Sequence, residues 1–206
     1  MSLIAISQRV AIDSKINERR DCLDQAWTKF ALACGFTLIP VPNEPDAARS
    51  LCSVLPLRGI VLTGGNDLSA YGGDAPERDT TENLLIDIAE DRALPVLGVC
   101  RGMQMIQCRF GIRLERVEGH VASHQTISID GKLAEVNSYH NFGAAETRPP
   151  LEAWAFAKDG VIKAVRHTSK RMMGIMWHPE RFSEFAPRDI SLFRQFFDLI
   201  ECARSS

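Results

Sequence analysis

The sequence lacks a strong charge of either sign. Its 206 residues carry 24 Lys and Arg against 26 Asp and Glu, a formal net charge of -2. This balance gives no electrostatic reason to expect nucleic acid or an anionic membrane as a partner. No apolar run approaches the ~20 residues of a membrane span, and the opening segment MSLIAISQRV lacks the basic stretch of a signal peptide. We therefore expect a cytoplasmic protein without nucleic acid or membrane partners.

Paired cysteines are also lacking. The six cysteines are scattered along the chain, and no two of them form a C-x-x-C pair. In a cytosolic protein most such cysteines are small buried hydrophobic residues. A structural role is therefore the default for each of them, and a chemical role needs further evidence.

Apolar strands that alternate with helices predict an α/β fold with a mostly parallel sheet covered on both faces. The length predicts one domain over residues 1–206. In the first half we expect strands at 3–6, 36–41, 59–63 and 94–99, and helices at 17–34, 45–55, 80–93 and 101–110. The second half changes to short strands separated by turns, which predicts a partly antiparallel extension. These strands are expected at 113–117, 125–129, 133–137, 154–157, 162–166 and 174–177, before a final helix from about 188 to 203.

Cys100 has the context of a nucleophile. The apolar strand LPVLGV runs directly into it and a helix begins at Arg101, so the sulfur would lie at a sharp strand-to-helix turn. A helix N-terminus favours the thiolate, and the backbone N–H of Arg101 would be a free donor for an oxyanion. Gly98 and Gly102 leave room for close backbone approach. The alternative is a buried cysteine at the end of a strand.

A thiolate needs a base, and His178 has the best context of the five histidines. The segment MGIMWHPE predicts a strand that ends at this histidine. Glu180 lies two residues further on, so in extended backbone its carboxylate would point to the same side as the imidazole. It could then accept the Nδ1–H and fix the tautomer, as a catalytic triad requires. A surface His-Pro-Glu turn is the alternative.

A second oxyanion donor is expected from the pair Gly64-Gly65, which follows the strand GIVLT. Glycine backbone can aim an N–H group inward, and we assign this donor to Gly65. A plain glycine turn is the alternative. A phosphate-binding loop is excluded, because no Gly-Lys-Ser/Thr follows the pair.

Five segments between residues 59 and 180 strengthen this interpretation: GIVLTGGNDL, RDTTE, LGVCRGMQ, VNSYHN and MWHPE. Their composition, order and separation resemble the class I glutamine amidotransferase fold, specifically its free-standing γ-glutamyl hydrolase branch (peptidase C26-type). The resemblance implies a flavodoxin-like, three-layer α/β sandwich. It also implies a triad of Cys100, His178 and Glu180 that hydrolyses a γ-glutamyl amide through a glutamyl-thioester, with no metal and no organic cofactor.

The resemblance further implies substrate contacts. Gln104 matches a glutamine that contacts the bound γ-glutamyl group. Ser138 and Tyr139 match a loop whose backbone holds the α-amino and α-carboxylate groups of glutamate. From the residues alone, the first is an ordinary polar helix residue and the other two form a strand-end turn. Arg78 and Glu82, one helical turn apart, predict a structural ion pair.

The N-terminal segment bears on the leaving group. ISQRV followed by ERRDCLDQAW resembles a compact subgroup that hydrolyses a γ-glutamyl-linked cytidine diphosphoramidate during capsule phosphoramidate synthesis. Arg9 would lie at the carboxyl end of the first strand and could bind a phosphate bidentately. Arg19 and Arg20 could assist. The alternative, which we favour for Arg19 and Arg20, is that these arginines are solvated or paired with Glu18 and Asp21.

Three functions follow from this sequence. The first is an independent hydrolase of a γ-glutamyl amide, whose leaving group is a nucleotide phosphoramidate or an amine such as γ-aminobutyrate. The second is a glutaminase subunit that supplies ammonia to a partner synthetase, and the third is a non-catalytic binding module. The intact triad argues against the third, and the lack of a fused synthetase segment favours the first. The expected partners are a small-molecule γ-glutamyl substrate and, as one option, a second copy of the chain in a homodimer.

Overall fold

The computed structural model describes residues 2–198. Within them, five α-helices are α1 (Gln25–Cys34), α2 (Pro45–Val54), α3 (Pro76–Asp91), α4 (Arg101–Arg109) and α5 (Pro187–Phe196). The strands are β1 (Ser2–Ile6), β2 (Arg9–Asp13), β3 (Glu18–Cys22), β4 (Phe36–Pro40), β5 (Leu57–Leu62), β6 (Val96–Val99), β7 (Glu115–Arg116), β8 (Val121–Ile129), β9 (Lys132–Tyr139), β10 (Phe142–Gly143), β11 (Leu151–Ala157), β12 (Ile162–His167) and β13 (Met172–Ile175).

Nine of these strands form one sheet in the order β4-β1-β5-β6-β13-β12-β11-β8-β9. The first five are mutually parallel, and the last four continue the same sheet as an antiparallel extension. The predicted α/β fold, with a mostly parallel sheet and an antiparallel extension, is therefore confirmed. The parallel strands end at one common edge, so the loops that follow them lie close together.

Helices cover both faces of the sheet, as predicted. The connections from β1 to β4 and from β4 to β5 run in opposite directions along the sheet, so right-handed crossovers place α1 and α2 on opposite faces. Helix α5 packs beside α1, and α3 packs against both α2 and α4. Between α1, α5 and the sheet lies an aromatic cluster of Phe30, Phe36, Phe193 and Phe197. Each such buried ring contributes about 1.5–3 kcal/mol. No helix among residues 2–198 is both long and apolar enough to cross a bilayer.

The predicted helix over 17–34 is wrong in its first half. Residues 9–22 instead form the antiparallel hairpin β2–β3, in which Arg9 pairs with Cys22. Its turn contains Asn17 at φ 53°, a conformation that asparagine tolerates better than most residues. Helix α1 begins only after Asp24, whose side chain accepts the N–H of Ala26 at 2.9 Å. The buried residues of α1 all lie beyond this cap: Trp27, Phe30, Ala31 and Cys34.

Other boundaries differ by smaller amounts. Helix α3 begins at Pro76 rather than at 80, because a proline at the first helical position needs no hydrogen-bond partner for its nitrogen. The strand predicted at 113–117 is reduced to β7. The final helix is described as far as Phe196, and the end of its predicted range at 203 lies outside the described residues.

The turn between β6 and α4 is as tight as the two glycines predicted. Its central residue, Cys100, has φ 53° and ψ -105°. A Cβ at Gly98 would lie 2.4 Å from the carbonyl oxygen of Gly102, and a Cβ at Gly102 would lie 2.2 Å from that of Leu62. Both distances are far below van der Waals contact, so only glycine fits this packing. The N–H of Cys100 donates to the carbonyl of Ile175 at 2.8 Å, which ties the turn to β13.

We expect Gly102→Ala to destabilise the fold by about 1–3 kcal/mol, the usual cost of forcing atoms into a packed interior. The sign of the change in the free energy of unfolding distinguishes the two cases, because glycine-to-alanine changes at exposed helix positions stabilise a protein by up to about 1 kcal/mol. Urea denaturation measures the difference. Ser50→Ala on the exposed side of α2 serves as the control and should stay within about 0.5 kcal/mol of the unmodified protein. A Gly102→Ala protein as stable as that control would contradict the packing argument.

Candidate active site

Cys100 lies at the N-terminus of α4 and is nearly buried, at 5% exposure. Its Sγ lies 3.8 Å from the carbonyl oxygen of Tyr139, at the end of β9. A positive φ is costly for a residue with a side chain, and such strain is concentrated at functional sites. The N-terminal end of a helix stabilises negative charge, so the position suits a thiolate.

His178 and Glu180 are in contact after the end of β13. The imidazole Nδ1 lies 2.8 Å from the Glu180 carboxylate, and both side chains are buried. The expected extended backbone is wrong, because Pro179 begins a 3-10 helix over Pro179–Arg181 in which the N–H of Arg181 donates to the carbonyl of His178 at 3.2 Å. The predicted contact between the carboxylate and Nδ1 is therefore present, but a 3-10 turn and not an extended backbone produces it.

Protonation of His178 depends on Cys100. Burial opposes the charged imidazolium, but a Cys100 thiolate and Glu180 outweigh it and raise the pKa of His178 to about 9. The other ring nitrogen, Nε2, is buried without a partner among the described residues. A Cβ at Gly64 would lie 2.5 Å from Cε1 of His178 and 3.4 Å from Cβ of Cys100. The glycine thus allows the nucleophile and the imidazole to approach the same point.

Asn137 is a positioning residue that the sequence analysis missed. Its Oδ1 accepts the N–H of His178 at 2.8 Å, and its Nδ2 donates to the carbonyl of the same residue at 2.8 Å. The side chain therefore holds the His178 backbone from both sides, inside the protein. Asparagine is disfavoured in strands, so its occurrence within β9 was a sequence feature that could have drawn attention to it.

The three residues assigned to substrate binding lie around Cys100. Gln104 is one helical turn further along α4, and its Nε2 donates to the carbonyl of Phe142 at 2.8 Å. The Tyr139 ring is half-exposed and packs edge-on against His178, with ring centroids 5.8 Å apart. The Ser138 hydroxyl is buried and donates to the carbonyl of His120 at 2.8 Å, so its side chain is already engaged. Their contacts with substrate stay predictions.

Ser138 and Tyr139 are the last two residues of β9 rather than part of a loop, and the buried lysine beneath them was not predicted. Nζ of Lys163 lies 2.8 Å from Nδ1 of His120, 2.7 Å from Nε2 of His140 and 3.0 Å from the Ser138 hydroxyl. Because an ammonium group only donates, both imidazole nitrogens must accept. Nε2 of His120 then donates to Asp159 at 2.9 Å. Burial, with the nearby ammonium, lowers the pKa of His140 to about 3, and burial lowers that of Lys163 to about 8. The cluster connects the end of β9 to β12.

Gly65 and Arg101, the two assigned oxyanion donors, follow adjacent strands of the sheet. Gly65 follows β5 and has φ 84°, whereas Arg101 is the first residue of α4 after β6. Both sit at the edge that also carries Cys100, so the arrangement permits their backbone N–H groups to converge on one oxygen. Their role stays a prediction.

The structure separates the three N-terminal arginines. Arg9 begins β2 at the active-site edge, where its Cδ is 2.9 Å from the position of a Cβ at Gly65. Arg19 forms an ion pair with Glu77 of α3, which corrects its predicted pairing with Glu18 or Asp21. The β2–β3 hairpin that the sequence analysis missed is what brings it there. Arg20 pairs with Glu18 at 2.7 Å, as favoured above. Only Arg9 of the three lines the crevice beside His178.

Among residues 2–198, no group of three or more His, Cys, Asp or Glu side chains is arranged to hold a metal ion. The candidate site itself brings together a thiol, an imidazole and a carboxylate.

Comparisons with known proteins relate the sequence and the fold of this chain to others. The family model of peptidase C26 matches residues 2–129 and 115–180. Gamma-glutamyl-CDP-amidate hydrolase of Campylobacter jejuni is 33% identical over 203 residues, covering 96% of this chain and 98% of that protein. Gamma-glutamyl-gamma-aminobutyrate hydrolase of Escherichia coli K12 is 28% identical over 205 residues, covering 80% and 81%. The CTPS glutaminase domain of Trypanosoma brucei has a TM-score of 0.69 at 14% identity, covering 96% of this chain and 94% of that one, a likeness of fold alone.

We expect His178 to keep its proton up to about pH 9 in the unmodified protein, since a Cys100 thiolate and Glu180 stabilise the imidazolium. In Cys100→Ala the thiolate is gone while the burial remains, so the pKa of His178 should fall well below this value. NMR titration of the His178 ring measures both. Cys108→Ala, which removes another cysteine of α4, is the control and should leave the titration unchanged. An identical titration in Cys100→Ala would show that the two side chains do not interact.

Proposed function

This chain belongs to the peptidase C26 family, and we propose that it hydrolyses a γ-glutamyl amide through a glutamyl-thioester on Cys100. Hydrolysis of an amide C–N bond is the activity of its γ-glutamyl hydrolase relatives. The observation that carries the proposal is the placement of His178. Its Nδ1 is held by Glu180 at 2.8 Å, and its ring approaches the same Gly64 backbone as Cys100, since a Cβ there would lie 2.5 Å from Cε1 of His178 and 3.4 Å from Cβ of Cys100.

In the first half-reaction, the Cys100 thiolate attacks the γ-carbonyl carbon and a C–S bond forms. The carbonyl oxygen becomes an oxyanion, which the backbone N–H groups of Gly65 and Arg101 stabilise. His178 then gives its proton to the leaving nitrogen as the C–N bond breaks. The amine or amidate departs, and the glutamyl group remains on sulfur as a thioester.

In the second half-reaction, water attacks the thioester carbonyl. Nε2 of His178 takes a proton from this water while the same two N–H groups stabilise the second oxyanion. The C–S bond breaks, glutamate leaves and the thiolate–imidazolium pair is restored. Throughout, Glu180 keeps the imidazole in the tautomer whose Nε2 faces the reacting groups.

We propose that the substrate is γ-glutamyl-CDP-amidate, which would be an intermediate of capsule phosphoramidate synthesis. Two observations support this choice. The relative that shares 33% identity over nearly the whole chain bears that name. The exposed guanidinium of Arg9 lies at the active-site edge beside Gly65 and lines the same crevice as His178, where it could hold a phosphate of the leaving group.

A second candidate substrate is γ-glutamyl-γ-aminobutyrate or a similar γ-glutamyl amine. It is favoured by the similarity to the Escherichia coli hydrolase of that compound over 80% of the chain. A glutaminase role would instead require free glutamine as a good substrate in the presence of a synthetase. The homodimer and the cytoplasmic location stay predictions.

A panel of γ-glutamyl compounds separates these functions. Glutamate release should be fastest from the γ-glutamyl cytidine diphosphoramidate, slower from γ-glutamyl-γ-aminobutyrate and slowest from free glutamine. Cys100→Ala should abolish release from each, because the proposed thioester forms on the sulfur of Cys100. Undiminished turnover in that variant would refute the thioester proposal, and a preference for the amine would refute the nucleotide assignment.

Arg9→Ala tests the leaving-group side alone. We expect the KM for the nucleotide phosphoramidate to rise by about 10-fold or more, the loss of one charge-assisted contact of about 1.5–3 kcal/mol. The KM for γ-glutamyl-p-nitroanilide should not change, since that leaving group carries no anionic group for a guanidinium to bind. The control is Arg20→Ala, which removes an arginine of the same hairpin that pairs with Glu18. Equal effects of Arg9→Ala on both substrates would contradict phosphate binding.

A further inference from the structure

Arg78 of α3 is fully buried and binds three successive backbone carbonyls. Its Nη2 donates to the carbonyl oxygen of Thr63 at 2.7 Å and to that of Gly64 at 3.1 Å, and its Nη1 donates to that of Gly65. These residues form the loop after β5 that carries one of the two proposed oxyanion donors. Most donors of this guanidinium therefore serve one short segment of backbone.

Because the peptide bond is planar, these contacts also fix the direction of the backbone N–H groups in the loop. In a trans peptide, the carbonyl of one residue and the N–H of the next point in opposite directions. Three carbonyls point toward Arg78: those of Thr63, Gly64 and Gly65. The N–H group that follows each of them therefore points away from Arg78. The Gly64 backbone faces Cys100 and His178, because a Cβ there would contact both. Arg78 thus lies behind the loop, and the N–H groups are directed toward the opposite side.

Glu82 connects this contact to the other oxyanion donor. Its Oε1 accepts from Nε of Arg78 at 3.0 Å and from the hydroxyl of Ser7 at 2.7 Å. Its Oε2 accepts from Nη1 of Arg101, the residue whose backbone N–H is the second proposed donor. Although burial opposes ionisation, Arg101 and Arg78 hold the pKa of Glu82 below its ordinary value. One buried carboxylate therefore fixes the side chains behind both donors.

We propose that Arg78 and Glu82 are positioning residues that pre-form the oxyanion hole, with Arg78 orienting the Gly65 N–H and Glu82 aligning it with that of Arg101. The inference rests on the proposed function, because it assigns a purpose to an oxyanion hole at this site. Neither side chain touches the substrate. Their effect on the reaction is exerted through backbone orientation, so it should appear in kcat rather than in KM.

The test compares two reactions of Cys100 in Arg78→Lys. Hydrolysis of γ-glutamyl-p-nitroanilide forms an oxyanion, whereas alkylation by iodoacetamide needs only the thiolate. Lysine keeps the charge opposite Glu82, but its three N–H donors are too few for Glu82 and three carbonyls together. We expect kcat for hydrolysis to fall about 10²-fold, as for loss of one oxyanion donor, with KM and the alkylation rate nearly unchanged. Glu82→Gln, which keeps the shape of the side chain, is a second variant in case Arg78→Lys folds poorly. It should likewise lower kcat for hydrolysis and leave KM and the alkylation rate nearly unchanged.

Arg92→Lys is the matched control, because Arg92 also donates to a backbone carbonyl, that of Cys52 at 2.6 Å, but lies away from Cys100. It should leave both reactions unchanged. Unaltered hydrolysis in Arg78→Lys would overturn the inference, as would hydrolysis and alkylation that fall together.

A second measurement does not depend on turnover. In NMR spectra, the Gly64 and Gly65 amide signals should shift in Arg78→Lys and not in Arg92→Lys, and unchanged signals would overturn the inference. If the unmodified protein cleaves no γ-glutamyl compound, the proposed function fails. The amide signals then still decide whether Arg78 orients the loop.

Discussion

The close packing of α4 against β5 and β6 determines where the chemistry can take place. Gly98 and Gly102 allow backbone to approach backbone, and the chain can then turn at Cys100 with its positive φ. Strand β6 lies between β5 and β13 and is parallel to both, with Val99 opposite Ile175. The three strands therefore end together. The glycine loop, the nucleophile and the histidine leave the sheet side by side, although more than a hundred residues separate the first from the last.

Two buried polar networks hold the loops around this edge. On one side, Glu82 lies between Arg78 and Arg101, and Arg78 donates to the backbone carbonyls of the loop after β5. On the other, Lys163 contacts His120, His140 and the Ser138 hydroxyl at the end of β9. Burying charge is costly unless every partner is in place. Such networks therefore favour a single arrangement of the loops over several similar ones, and an oxyanion hole requires that rigidity.

The sequence predicted what depends on local pattern and on recognisable motifs. The elbow at Cys100 follows from an apolar strand that meets a glycine-containing helix, and the parallel sheet follows from the alternation of elements. The hairpin over 9–22 was missed because β3 is highly charged and contains no buried residue, whereas the buried residues with helical spacing begin only beyond Asp24. Asn137 and Lys163 were missed because their partners are distant in sequence and come together only in the folded protein.

The central claim is that catalysis passes through a glutamyl group bound to the sulfur of Cys100. Rapid acid quench of the enzyme during turnover, followed by peptide mass spectrometry, tests this most directly. We expect a transient mass increase of one glutamyl group on the peptide that contains Cys100, which appears before glutamate and disappears as substrate is consumed. Turnover with no such adduct, or with the adduct on another residue, would contradict the account.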